Sequence, residues 1–187
     1  GLTTHGGSRF EDKGPLLILG DGATADALAR RASDRGVRCA RAFYAEDFSI
    51  IGSDRFHLNP GSEEDFTRLF QALAEMDMFP ASIVSLQSEA IARKEHPGGP
   101  PAFDLGSWLP AVFHLTKVVA SASTALGREV NILHAWVGSA EEHAPMAAGI
   151  GAFFRAVRHE SPRTRCKVVR IEERPHGEPN RSAETAE

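Results

Sequence analysis

The residues whose types and spacing could do chemistry are Gly20-Asp21-Gly22-Ala23-Thr24-Ala25. They follow an apolar run and open a helical pattern, in the order G-x-G-x-x-G/A. That order lets a pyrophosphate approach the backbone at a helix N-terminus. Gly20, Gly22 and Thr24 would be its contacts, and Glu46 or Asp47 stands about where a carboxylate would hold the ribose. One reading is therefore an NAD(P)-binding, short-chain dehydrogenase-like reductase or a nucleotide sensor. Two features oppose it. Asp21 sets a carboxylate beside the phosphate position, and Ala23 and Ala25 add methyl groups to the turn. The competing reading is a strand-to-helix turn that needs small residues and binds nothing.

Other catalytic groupings are scarce. The single tyrosine, Tyr44, has Phe48 where a Tyr-x-x-x-Lys reductase pair needs lysine. No Gly-x-Ser-x-Gly elbow and no His-Glu-x-x-His helix occurs. His5 and His176 lie in the terminal segments, and His57, His96 and His143 near loops. His114 and His134 fall inside regular elements and read as structural or partner-facing. His159 closes a helix, where a cation suits the dipole. Cys39 and Cys166 sit in apolar strand patterns and read as small hydrophobes, both free thiols. No metal or catalytic site is expected.

The elements that must position these residues alternate between strand and helix. Pro15–Leu19 reads as a strand buried on both faces. Ala23–Arg35 reads as a helix with Gly36 at its C′ position, and Val37–Phe43 as a strand with one wetter face. Arg55–Leu58 is a short third strand, and a helix from Ser62 to Met76 opens on a Ser62-x-x-Asp65 capping box. Ala81–Leu86 is the next strand and 90–104 a loop. Ser107–Leu126 is a helix apolar nearly all round, stopped by Gly127. Val130–Val137 is a strand, followed by a helix capped by Ser139, with Pro145 in its first turn. Gly149 and Gly151 in that helix suit close approach to the sheet. Cys166–Ile171 is the last strand. The alternation predicts a three-layer α/β, truncated Rossmann-like fold: a mostly parallel sheet of about six strands with helices on both faces.

Composition limits the classes. The chain has 187 residues, enough for one sizeable core, and a formal net charge of −4, so it lacks the electrostatic footprint of a nucleic-acid binder. No run of about 20 continuous apolar residues suggests a membrane partner, and two cysteines cannot form a disulfide framework. A cytoplasmic setting is expected. Residues 1–14 read as a tag remnant or linker, 15–171 as the Rossmann-like subdomain and 172–187 as a linker or disordered tail.

These stretches together resemble the structural subdomain of ketoreductase domains from modular polyketide synthases. The resemblance covers about residues 15–171. It rests on the first strand–helix–strand unit, on SIVSLQS (82–88), on SWLPAVFHLTKVVASAS and on REVNILHAWVGSA. The most specific segment is PMAAGIGAFFRAVRHESPRTRCKVVRIE, with Gly151, Arg155, Glu160 and Pro162 in the family's spacing; Arg170 replaces its usual aspartate. Aligned with a reductase cofactor turn, Leu19, Ala23 and Ala25 fall where glycines would be. The resemblance implies the half that binds no cofactor and is not itself an enzyme. Such a half stabilises a catalytic ketoreductase half or, in a pseudo-ketoreductase, serves as a scaffold. Its expected partners are adjacent domains of the same polypeptide, among them the acyl carrier protein. The expected docking residues lie on the over-apolar helix: Trp108, Val112, Phe113 and Val119.

Overall fold

The computed structural model describes residues 14–86, 105–137 and 140–171, without the side chains of 105–108, 136–137, 140–147 and 170–171. Strands β1 (Leu16–Leu19), β2 (Cys39–Tyr44), β3 (Ser49–Ile50), β4 (Arg55–Leu58), β5 (Ser82–Leu86), β6 (Val130–Val137) and β7 (Thr164–Ile171) form one sheet. Helices α1 (Ala23–Ser33), α2 (Glu63–Glu75), α3 (Leu105–Leu126) and α4 (Ala140–Glu160) connect them. The strand order is β3-β4-β2-β1-β5-β6-β7, with every pairing parallel except β3 with β4. Seven strands stand where about six were expected. The extra one, β3, is a two-residue rim strand too short to leave a period in the sequence.

From β1 the chain winds outward one way through β2 and β4, then the other way through β5, β6 and β7. Crossovers of a single hand then send helices to opposite faces. Alternate residues show the two faces. Leu17, Leu19, Ala40, Ala42, Ile83 and Ile132 pack under α2, α3 and α4 in the main core. Ile18, Leu86 and Ala135 join Ala25 of α1 in a smaller one. The layers are thus lopsided, with one described helix on one face and three on the other.

No helix joins β2 to β4; the β3 hairpin does so instead. The face of β2 left uncovered is therefore polar, which is why Val37–Phe43 alternates. Cys39 and Arg41 line a groove there with Asp26, Arg30 and Arg55. Arg41 pairs with Asp26 and lies 4.8 Å over the Phe43 ring.

The helix ends follow local chemistry. Ser62 is the N-cap of α2: its Oγ accepts from the Asp65 N–H at 3.2 Å and its hydroxyl donates to Asp65 Oδ1 at 3.0 Å. Asp65 does not close the box on the Ser62 amide. Its Oδ2 accepts from the Asn59 N–H at 2.9 Å, which pins the preceding turn. Gly36 and Gly127 take positive φ after α1 and α3. A chain of buried hydroxyls, Ser123 to Thr164 and Thr164 to Ser161 at 3.1 Å each, ties the ends of α3 and α4 to the start of β7.

Two expectations for α4 need correction. Gly149 does not meet the sheet: a Cβ there would have nothing within 4 Å, and at Gly151 only the mobile end of Arg155. The helix also begins at Ala140, which puts Pro145 beyond the first turn. Its expected cap Ser139 and the 90–104 loop lie outside the described residues. By length and composition Leu109–Leu126 suffices to cross a membrane. In this fold its Val112, Leu115 and Val119 stripe is core.

Candidate functional site

A doubly wound sheet binds ligands outside the C-terminal strand ends where its winding reverses. Here that point lies between β1 and β5. The Gly20 N–H donates to Ala42 O at 2.9 Å, and Gly20 has φ +113°. A Cβ on it would stand 2.7 Å from Leu86 O, so the turn is seated hard against the end of β5 and requires glycine. Gly22, at φ +89°, is the N-cap of α1 with open space around it and no side-chain cap. Thr24 is exposed. The expected crowding by alanine methyls is not what the turn shows: Ala23 is exposed, and Ala25 is buried in the smaller core under α1.

Three polar side chains converge beside the turn, and the sequence reading did not group them. Tyr44 ends β2 and packs against the main core. Ser85 of β5 is buried and lies near the Tyr44 phenol, and the Asp21 carboxylate acts on that phenol through space. Burial pushes the Tyr44 hydroxyl up to about 12, a shift the nearby Ser85 hydroxyl opposes and Asp21 adds to. His134 of β6 is fully buried, its Nδ1 3.2 Å from Ser85 Oγ. Burial lowers it to about 3, so it is neutral at physiological pH. A neutral histidine, a neutral phenol and a carboxylate are poor partners for a pyrophosphate. The residues present do not fit a dinucleotide, even though Gly22 leaves room. Glu46 and Asp47 are exposed in the loop after β2, and Arg68 stacks 4.3 Å over Phe48.

The cysteines are both free, and burial raises each thiol to about 11, far from a nucleophile's range. Among the described residues no cluster of three histidines, cysteines or carboxylates could hold a metal.

The second feature is a groove between α3 and α4. The expected docking residues divide here. Val112 and Val119 are 2% and 0% exposed, because they share the sheet-facing stripe with Leu115; they cannot touch a partner. Phe113 lies off that stripe and is 47% exposed. The side chain of Trp108 is outside the described residues. Phe113 joins Leu109, itself 49% exposed, with Pro110, His114 and Phe153 around a groove of about 570 Å³. The Phe113 and Phe153 rings are 6.1 Å apart. At its margin Glu63 accepts from Lys117 Nζ at 2.8 Å and lies 3.7 Å from His114 Nδ1. Leu109 and Phe113 are four residues apart, and Phe153 belongs to a Phe-Phe pair on α4. A helix apolar all round hides such a face until its packing is known.

The profile of the family described as beta-ketoacyl synthase-like, N-terminal, matches residues 24–184. No curated protein matches. Among solved structures, an N-terminal ketoreductase from the macrolactin assembly line is similar at TM-score 0.68 and 19% identity over 90% of this chain and 34% of that one. A multidomain structure with adenylation, ketoreductase and pseudo-Asub domains, from a keto acid-selecting NRPS module, is similar at 0.66 and 17% over 91% and 14%. A short-chain dehydrogenase from Leptospira borgpetersenii with bound NAD+ is similar at 0.61 and 13% over 92% and 77%. At these identities the likeness shows the Rossmann-like fold. The chain spans about a third of the ketoreductase and a seventh of the multidomain structure.

Proposed function

Since the chain belongs to the beta-ketoacyl synthase-like, N-terminal family, we propose that it is the structural half of a polyketide synthase ketoreductase or pseudo-ketoreductase. It performs no reduction itself. Its work is to bury apolar surface against a neighbouring domain, first of all the catalytic ketoreductase half, and so to fix that domain relative to the acyl carrier protein of the same cytoplasmic polypeptide.

The observation that carries this reading is the apolar groove of Leu109, Phe113 and Phe153 on the outside of α3 and α4. Phe113 and Leu109 left half-bare side by side, with the part-buried Phe153 beside them, mark a partner's site on a small domain. The similarity to a ketoreductase about three times as long supports a partner in the same polypeptide. The chemistry at the switch point also supports a half without cofactor.

The test is to produce the polypeptide that follows this chain as a separate piece and measure its association by analytical ultracentrifugation. The double substitution Phe113→Glu and Phe153→Glu should weaken association about tenfold or more. Unchanged association would overturn the groove. The second reading, an NAD(P) binder, is favoured by the Gly20–Gly22 geometry. A cofactor at 100 times its Kd stabilises by about 2.7 kcal/mol. Our reading predicts no thermal shift with NADPH or NADH, and a saturable shift would favour the binder.

A further inference from the structure

We propose that Tyr44 is the stopper of the crevice at the sheet's switch point: its ring crosses the end of β1 to Ser85 and takes the space a dinucleotide would need. This deepens the reading above and rests on it.

The placement follows from register. β1 lies between β2 and β5, with Leu19 paired to Ala42 on one side and to Ser85 on the other. Leu19, Ala42 and Ser85 therefore point to one face. Tyr44, two residues beyond Ala42, points there as well and packs against the same core. Ser85 acts on the Tyr44 phenol although β1 lies between their strands, whose axes are two strand spacings, about 10 Å, apart, so the ring must lean toward β5 to come near the serine side chain. It can do so only over the last residues of β1, directly beside the Gly20 turn. The turn is already seated against Leu86 of β5. His134 holds Ser85 from the far side at 3.2 Å, so the serine near the phenol is itself fixed. The chain thus spans its own crevice with a side chain of β2. The glycines are there for the tightness of the turn, and the aromatic ring bars a ligand.

Two barriers at the turn can be told apart, the Asp21 charge and the Tyr44 ring. Four forms of the full chain are titrated with NADPH, NADH and AMP and followed by calorimetry and thermal shift: the native chain, Asp21→Asn, Tyr44→Phe and Tyr44→Val. We expect saturable binding only in Tyr44→Val, which keeps a strand-forming residue and removes the ring. Tyr44→Phe keeps the ring and should stay silent. Silence in a folded Tyr44→Val overturns the stopper and leaves the scaffold reading untouched. Binding by Asp21→Asn alone also overturns it, since the carboxylate would then be the barrier. Binding by the native chain overturns both readings.

A second measurement needs no variant. Tyr44 is the only tyrosine in the chain, so nitration by tetranitromethane reports on this ring alone. Nitration should be at least tenfold slower in the native chain than in urea; equal rates would overturn the inference.

Discussion

At the residue scale, the molecule keeps titratable groups inside by keeping them neutral. His134 makes the cleanest case. Its folded value is lowered from 6.5 to about 3 by burial. Below 6.5 the unfolded chain takes up a proton that the folded chain refuses, so stability is full above 6.5 and is lost as pH falls toward 3. The slope approaches about 1.4 kcal/mol per pH unit from this one group. Urea unfolding across that window should show it, and His134→Gln should flatten the curve by about one proton. Parallel curves for the two proteins would assign the acid sensitivity elsewhere. The sequence placed His134 on a strand and read it as structural. It did not join it to Ser85 and Tyr44, because those three come from β6, β5 and β2, and only strand order makes them neighbours.

At the element scale, most helices were legible where a cap or a stop was spelled out. Ser62 and Asp65 marked the start of α2, and Gly36 and Gly127 lie just past the ends of α1 and α3. Ser62→Ala should cost about 1 kcal/mol, read as a lower midpoint in thermal or urea unfolding. Because Asp65 also holds the Asn59 amide, Asp65→Ala should cost more than Ser62→Ala; a smaller loss would mean the turn is held by something else. Which face of α3 stays exposed was not legible. Its apolar residues nearly encircle it, so periodicity could not tell Val112 and Val119 from Phe113. The packing did, by turning the first two to the sheet. Gly149 misled for a related reason: a glycine in a helix suggests close approach, but its direction depends on which stripe the core takes.

At the scale of the whole molecule, strand–helix alternation was enough for the doubly wound architecture and its order. The lopsided layering was not, since it depends on a helix that is missing. Between β2 and β4 the chain makes only the β3 hairpin, and it leaves Ile50 and Ile51 half-bare at the rim. Residues 51–55 of that hairpin are exposed. Lengthening a loop is thermodynamically mild, about 0.6 kcal/mol for each doubling. A glycine–serine stretch inserted between Gly52 and Ser53 should therefore lower the melting temperature by only a few degrees. A collapse of the cooperative transition would show that the hairpin is a keystone. The far rim is thus the natural splice point, where an affinity handle, a fluorescent reporter or new termini from circular permutation can be grafted with the α3–α4 flank left clear.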